Sequence, residues 1–382
     1  MPNRSSSFDV AVIGAGVVGL AVGWRAAQSG LRVIVVDRGE RPGSGTSWVA
    51  AGMLAPISET LATELPLMRL GLDSVSLYPR FVEELSEASG MDPGYLRCGT
   101  LLAARDGDEA EALARELELR HSLGLAVNRL RPSEARRREP ALAPTLRMAL
   151  EIPDDHAIDP RKLSASLAVG LERAGGELCL SAAVGDVMVE GARVGGVRLA
   201  DGQAIAAENV VVAAGPWASS LDGIPEGARI PIHPIKGQIL RLHDPSGPGL
   251  LTRVLRMTGG YVVPRGDGRY VIGATMEERG FDTTVTAGGA FDLLRNAFEL
   301  LPSVTELVID ELSAGLRPAT PDNLPAIGPG AIRGLHWAVG HYRHGILLTP
   351  ITAELVVGGL TGEPIPDEFA PTRFAGVPAV AA

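Results

Sequence analysis

Three glycines near the amino terminus have the spacing of a phosphate-binding turn. Gly14, Gly16 and Gly19 stand in the order G-x-G-x-x-G within FDVAVIGAGVVGLAVGWRAAQSGLRVIVVD, residues 8–37. Each has a physical task. Gly14 permits a tight turn, Gly16 lets the backbone approach a pyrophosphate, and Gly19 lets a helix pack closely on a strand. The phosphates would meet the helix amino terminus at Val17 and Val18, where unpaired N–H groups and the macrodipole favour negative charge. Asp37 closes the next strand with an acid that can accept the ribose hydroxyls of a dinucleotide, and Arg38 adjoins it.

These residues serve that purpose only if the chain around them folds as strand, turn, helix and strand. Phe8 to Ile13 is a short apolar, β-branched run suited to a buried parallel strand, and it directly precedes the glycines. The agreement of strand, helix and terminal acid separates this stretch from a plain glycine-rich turn. A membrane span is excluded, because Asp9 and several glycines interrupt a run that Arg25 ends short of the ~20 residues a span needs.

At 382 residues the chain is long enough for two domains of about 150 residues each. Hydrophobic content of 46% and a charged fraction of 21% describe an ordinary folded protein, and a net charge of -10 argues against nucleic-acid binding. Cys98 and Cys179 are the only cysteines and form no C-x-x-C pattern, so a disulfide framework, a zinc site and an iron–sulfur cluster are not expected. The opening MPNRSSSFDV has no apolar segment before the first strand, so a cytoplasmic protein without secretory signal or membrane contact is expected.

Farther along, RGERPGSGTSWVAAGMLAP offers small residues that suit close contact with a flat ring system. Leu67 to Gly90 has helical spacing, Leu96 to Ala104 reads as one strand, and Ala110 to Leu123 is a charged amphipathic helix with a solvated face. Asp159 and Pro160 start a helix reaching about Gly175. Glu177 to Ala214 reads as short strands ending in VVVAAG, which would rejoin the first sheet. Ile230 to Leu242 and Tyr261 to Thr275 are β-rich, Thr286 can cap a helix over Phe291 to Leu301, and strands at Leu307 to Arg317 and Leu335 to Val339 precede a last helix, Ile346 to Gly359.

Four separated stretches, GTSWVAAGMLAP (Gly45 to Pro56), VVVAAGPW (Val210 to Trp217), LRPATPDNLPAIGP (Leu316 to Pro329) and GHYRHGILLTP (Gly340 to Pro350), together resemble the D-amino-acid oxidase superfamily of FAD-dependent oxidoreductases, and within it the glycine oxidase branch. The resemblance covers nearly the whole chain. It implies an α/β plus α+β fold, in which a discontinuous Rossmann-like FAD-binding domain (1–80, 151–229, 309–370) carries an antiparallel-sheet substrate domain (81–150, 230–308), with a loose tail over 371–382. It further implies that Thr46, Ser47, Ala50, Ala51, Gly52 and Met53 line the flavin, that Val184 lies near the adenine, and that Ala214, Gly215, Trp217, Gly340, Gly345, Ile346 and Leu347 complete the cofactor site. Trp48 departs from the small residue usual in that loop.

For the substrate the same resemblance points to Tyr261, Arg317 and Arg343, with Met276 on the substrate side. An amino-acid carboxylate calls for a planar, bidentate cation, the role expected of Arg317, with the Tyr261 hydroxyl as second donor. Arg343 would line the pocket by side chain or by backbone, and His341 and His344 are expected as polar rim residues and not as bases. Amine oxidation would pass the Cα hydrogen as hydride to flavin N5, giving an imine, with dioxygen as acceptor and hydrogen peroxide as product. A last helix beginning at Gly345 would direct its amino terminus at the flavin. Some relatives attach flavin through a cysteine where this chain has Gly315, so noncovalent FAD is expected. The resemblance also implies a homo-oligomer, tetramers being common in the family, and for the glycine oxidase branch a place in making the thiazole of thiamine. Two other readings stay open: a D-amino-acid or secondary-amine dehydrogenase passing electrons to a quinone or protein, and a non-catalytic flavin-binding subunit. The presence of Tyr261 and Arg317 together weighs against the last.

Overall fold

In the computed structural model, which describes residues 7–59, 61 and 63–377, the strand Phe8–Ile13 runs inside an eight-stranded sheet. Its parallel neighbours are Val33–Val36 on one side and Ala204–Val212 on the other. Glu177–Cys179 extends the sheet beyond the first, and Leu335–Val339 beyond the second, both also parallel. The hairpin of Val184–Glu190 and Arg193–Leu199 joins the early part of Ala204–Val212, while Ala326–Pro329 pairs antiparallel with Leu335–Val339. Such continuous β-branched runs fit strands buried on both faces, and every residue of Val33–Val36 is buried.

One face is covered by the helices Val17–Gln28, Leu65–Ser89, Pro160–Arg173 and Thr349–Leu360, which close over Trp24, Tyr78, Phe81, Leu167 and Val356. Trp24 and Phe81 meet edge to face at 5.4 Å and 74°, an arrangement that contributes about 0.5–1.5 kcal/mol beyond area burial. The opposite face packs on Val187, Val197, Ile224, Trp337 and Phe374.

The second sheet runs in the order Val308–Ala319, His233–His243, Arg269–Gly273, Gly260–Pro264, Val254–Met257, Thr100–Ala104, Met148–Ile152, Asn128–Leu130. It is antiparallel except where Val254–Met257 lies parallel to Thr100–Ala104. The helix Ala287–Leu300 packs Leu293, Ala297 and Leu300 on Leu240, Val262 and Ile272, and Thr286 caps it by accepting from the Gly289 N–H at 3.1 Å. Alternation in the strands turns Ile239, Val263 and Val271 to the other side, where they meet Ala51 of the glycine-rich loop.

Several expectations change. The single strand over Leu96 to Ala104 is two, Tyr95–Leu96 and Thr100–Ala104, broken at Gly99, whose φ is +70°. The last helix begins at Thr349 with Pro350 in its first turn, because proline lacks an N–H and fits only there. The boundary at 80/81 falls inside a helix whose Phe81 and Leu85 pack with the first sheet, and Val308–Ala319 is a strand of the second sheet. Pro371–Phe374 forms a helical turn that buries Phe374, so the chain there is anchored and not a loose tail. The opening residues 1–6, on which the expectation about a secretory signal rests, and residues 378–382 lie outside those described.

Candidate active site

A cavity of about 1450 Å³ is lined by the carboxyl ends of the first sheet's parallel strands and by the second sheet. Ordinary small-molecule pockets hold about 300–1,000 Å³, so this one has room for an elongated cofactor and a small substrate together.

Its phosphate end follows from the glycine spacing. Gly14 has φ +111°, and any Cβ there would lie 2.5 Å from the Ala213 carbonyl oxygen. A Cβ on Gly19 would lie 1.9 Å from the Gly14 carbonyl oxygen, so helix and turn touch backbone to backbone. The helix Val17–Gln28 starts after Gly16 with no side-chain cap from that residue and no acid in its first turn. The Ser47 hydroxyl accepts from the Val17 N–H at 3.1 Å. A helix start free of acids, against a glycine turn, is a fitting cradle for a pyrophosphate.

Asp37 is pinned by its own turn. Its two oxygens accept from the N–H groups of Ala15 and Gly39, each at 2.6 Å, which leaves further lone pairs open to hydroxyl groups. Beside it the Arg38 guanidinium lies 3.9 Å over the Trp217 ring, and Val184 lines the same end.

The loop Thr46 to Met53 forms the wall between the two ends. Thr46 donates to the Leu316 carbonyl at 2.6 Å. Behind the loop three arginines gather its carbonyls: Arg241 donates to Trp48 O at 2.9 Å, Arg161 to the same oxygen at 3.1 Å, and Arg265 to Ala51 O at 2.7 Å. Burial lowers the pKa of Arg241 to about 10 and lowers that of Arg265, so the cluster is costly and offset by these bonds and by Asp159 and Glu311. Trp48 points away from the cavity, its ring held between Arg41 at 3.7 Å and Arg161 at 4.0 Å. The sequence reading missed the three arginines. Arg161 sits in the first turn of a helix and Arg265 just past the end of a strand, where a charge carries no signal, and only Arg241 interrupts a β-rich run.

At the other end, the second sheet brings Arg317 and Tyr261 together across two glycines. The Arg317 guanidinium lies over Gly237, where a Cβ would come within 2.4 Å of it. The Tyr261 ring lies over Gly273, where a Cβ would come within 2.5 Å of its hydroxyl. Arg317 donates to the backbone carbonyls of Thr275 at 3.2 Å and Lys236 at 3.4 Å and stands within reach of the Tyr261 hydroxyl, and no carboxylate pairs with it among the described residues. Burial raises the Tyr261 pKa, against the pull of Arg317, so the hydroxyl stays protonated and can donate.

Arg343 lines the cavity, but its guanidinium pairs with Glu64 at 3.1 Å and stacks on Tyr342 at 4.8 Å. Its charge is therefore already matched. Tyr342, with φ +46°, donates to the sulfur of Met276 at 3.4 Å, and Met276 is 63% exposed at the mouth. His341 and His344 are buried and not rim residues. Burial lowers their pKa values to about 3 and about 4, so both rings are neutral near pH 7.

Of the residues assigned from sequence, Gly19, Gly340 and Leu347 lie off the cavity wall. Gly340 makes room for Thr320, and the Leu347 carbonyl accepts from Ser74 at 2.6 Å. Gly345 and Ile346 do line the wall, in the turn before the last helix. They follow directly on the helical turn Tyr342–His344. Neither Cys98 nor Cys179 reaches the wall.

Comparison with known proteins agrees with this geometry. Residues 9–358 match the DAO family, described as FAD dependent oxidoreductase. The chain is 38% identical over 351 residues to a glycine oxidase of Geobacillus kaustophilus, covering 91% of this chain and 92% of that one. The crystal structure of glycine oxidase from that organism matches with a TM-score of 0.90 at 36% identity, over 97% and 99% of the two chains. Identity is 31% over 414 residues to the hydrogen cyanide synthase subunit HcnC of Pseudomonas aeruginosa, covering 98% of each. It is 35% over 371 residues to the bifunctional protein ThiO/ThiG of Trichormus variabilis, of which this chain spans about half, 55%.

Proposed function

The chain belongs to the DAO family of FAD-dependent oxidoreductases and oxidises an amine with FAD, and from that premise we propose that its substrate is glycine, with sarcosine and small D-amino acids as alternatives of the same shape. The observation that supports this is Arg317, a cation without a carboxylate partner, facing Tyr261 on the cavity wall. A guanidinium presents paired N–H groups that match a carboxylate bidentately, and the tyrosine hydroxyl supplies a third donor.

Gly14, Gly16 and the N–H groups that open the helix Val17–Gln28 would hold the pyrophosphate, and Asp37 the ribose. The loop Thr46 to Met53 and the N–H groups of Gly345 and Ile346 would flank the ring system. When bound, FAD supplies the two-electron acceptor for the Cα–H bond of the amine. The protein contributes placement: Arg317 and Tyr261 fix the carboxylate, so the Cα of a small amino acid stands at a defined distance from that anchor. His341 and His344 remain neutral and add no charge beside the amine.

In the proposed reaction glycine loses two electrons and two protons to dioxygen, giving iminoglycine and hydrogen peroxide. The match to ThiO/ThiG supports delivery of that imine to thiamine thiazole synthesis. The match to HcnC across 98% of the chain supports a second reading, a dehydrogenase that passes the electrons to an acceptor other than oxygen.

Oxygen uptake and peroxide release with glycine, sarcosine, D-alanine and L-alanine separate the two. Peroxide with glycine and none with L-alanine is expected. Anaerobic bleaching of the flavin by glycine without oxygen uptake in air would give the dehydrogenase, and no bleaching with any amine would overturn both.

A further inference from the structure

Lys236 is 1% exposed and does not line the cavity, so it has no direct contact with a ligand there. A lysine this deeply buried is rare unless it is paired, and its pairing leads to the substrate clamp. Its ammonium group donates to Asp282 at 3.1 Å and stands 3.5 Å from a Glu277 oxygen. Glu277, in contrast to the lysine, is part of the cavity wall.

Backbone pairing places Glu277 beside Arg317. Lys236 and Glu277 each donate an N–H to the other's carbonyl, at 2.9 and 3.0 Å, and the Lys236 carbonyl that accepts from Glu277 also accepts from Arg317 at 3.4 Å. The other carbonyl that holds Arg317 is that of Thr275, whose hydroxyl donates to a Glu277 carboxylate oxygen at 2.6 Å. Gln238 donates to the same oxygen at 2.7 Å. These bonds from Thr275 and Gln238, with the charge of Lys236, hold the Glu277 pKa below the usual carboxylate value, so the acid is ionised near pH 7. An ionised carboxylate fixed beside an arginine is a competitor for any carboxylate that the arginine is to bind.

The acids on the wall at this end are Glu59, Glu277 and Asp292, and each has a cation of its own: Arg256 at 3.7 Å, Lys236 at 3.5 Å and Arg295 at 3.0 Å. Of these cations only Lys236 lies off the wall. Arg317 is the charge that no acid takes.

We propose that Lys236 is a positioning residue for the substrate: by holding Glu277 from outside the cavity, it keeps the Arg317 guanidinium free for the substrate carboxylate. This rests on the amine-oxidation reading and names what sets the affinity of its clamp.

Methoxyacetate carries a carboxylate and no oxidisable amine. Its Kd for the FAD-loaded protein, read by calorimetry and from the flavin spectrum, reports the clamp apart from turnover. Lys236→Met keeps an unbranched side chain without the charge and releases Glu277 toward Arg317. The Kd is expected to rise about tenfold or more, the range for one charge-assisted hydrogen-bonded contact, and KM for glycine with it, while kcat at saturating glycine holds. Glu277→Gln alone keeps an acceptor for Thr275 and should leave the Kd unchanged. Adding Glu277→Gln to Lys236→Met should restore wild-type affinity because the competitor is gone, whereas a packing defect left by the missing lysine would persist. If Lys236→Met does not retain flavin, Lys236→Gln and its double variant with Glu277→Gln are read in the same way. An unchanged Kd on loss of the lysine charge, or a double variant as weak as the single one, would overturn the positioning role and leave the amine-oxidase reading intact. A wild type that neither binds methoxyacetate nor oxidises any amine would defeat both.

Discussion

Replacing Gly237 with alanine tests the substrate clamp without touching any group that would bind the substrate. The added Cβ would lie 2.4, 2.5 and 2.6 Å from Nη2, Nη1 and Cζ of Arg317. Comfortable separations between such atoms are about 3.5 Å, so the guanidinium has to retreat by roughly 1 Å. Gly237 sits in the strand His233–His243 and is not among the residues with positive φ, so alanine suits its backbone and the strain falls on Arg317. Overpacking of this kind costs about 1–3 kcal/mol, and a 1 Å misplacement of a positioning group can cost about 100-fold. A fall in kcat/KM for glycine of about 10- to 100-fold is therefore expected, with FAD still bound.

Arg317→Met should cost more, since stripping one partner from a buried ion pair loses about 3–5 kcal/mol, or roughly 10² to 10³·⁵ in kcat/KM. The double variant gives the sharper result. Once the guanidinium is gone, the added methyl group has nothing to displace, so the double variant should match Arg317→Met alone, a non-additivity expected only of residues that act through one contact. Steady-state peroxide release and anaerobic flavin reduction measure all three variants, with flavin content and Tm as checks on folding. Wild-type kinetics in the Gly237→Ala holoenzyme, or strictly additive losses in the double variant, would refute the reasoning.

Gly19→Ala would place a Cβ 1.9 Å from a backbone carbonyl that cannot swing aside, so flavin retention and Tm should both fall, at a cost above about 3 kcal/mol; an unchanged Tm would show that the helix does not abut the turn. His336, His341 and His344 have pKa values lowered by burial to about 4, about 3 and about 4. The unfolded chain then binds protons that the native state refuses, so stability present above pH 6.5 is lost as pH falls from 6.5 toward 4. In a Tm series across that window, His336→Gln should reduce the slope by about one proton, and an identical slope would contradict the assignment. Because neither Cys98 nor Cys179 lines the cavity, acid precipitation should leave the flavin in the supernatant; colour in the pellet would mean a covalent link.

The phosphate end could be read from the chain because its parts are local: turn, helix start, strand and acid follow one another within residues 8–37. Arg317 and Tyr261 came from motifs and not from any local physical signal. Gly237 and Gly273 gave none at all, since a glycine in a β-rich run has meaning only once it is known which side chain crosses it. The three arginines behind Trp48 and Ala51 were hidden for the same reason, as their acceptors lie far away in sequence. The last helix starts three residues after Ile346, because Pro350, which lacks an N–H, fits only in its first turn.

The clamp and the fold of the second sheet are one arrangement. Arg256, Tyr261, Gly273 and Ile239 are successive register partners across four strands, and Gly237 pairs with Gly315 two residues from Arg317. One residue away, Leu255, Val262, Ile272 and Leu240 are likewise partners, and these pack beneath the helix Ala287–Leu300. A one-residue slip of any strand would exchange the two rows, sending a tyrosine or an arginine into the helix interface and a leucine or valine into the cavity. The hydrophobic row under the helix therefore holds the register that keeps the polar row facing the cavity. The glycines follow from the same constraint. Arg317 and Tyr261 originate on strands separated by those of Gly237 and Gly273, so they can meet only by lying flat across the sheet, and a side chain on either intervening glycine would block the path.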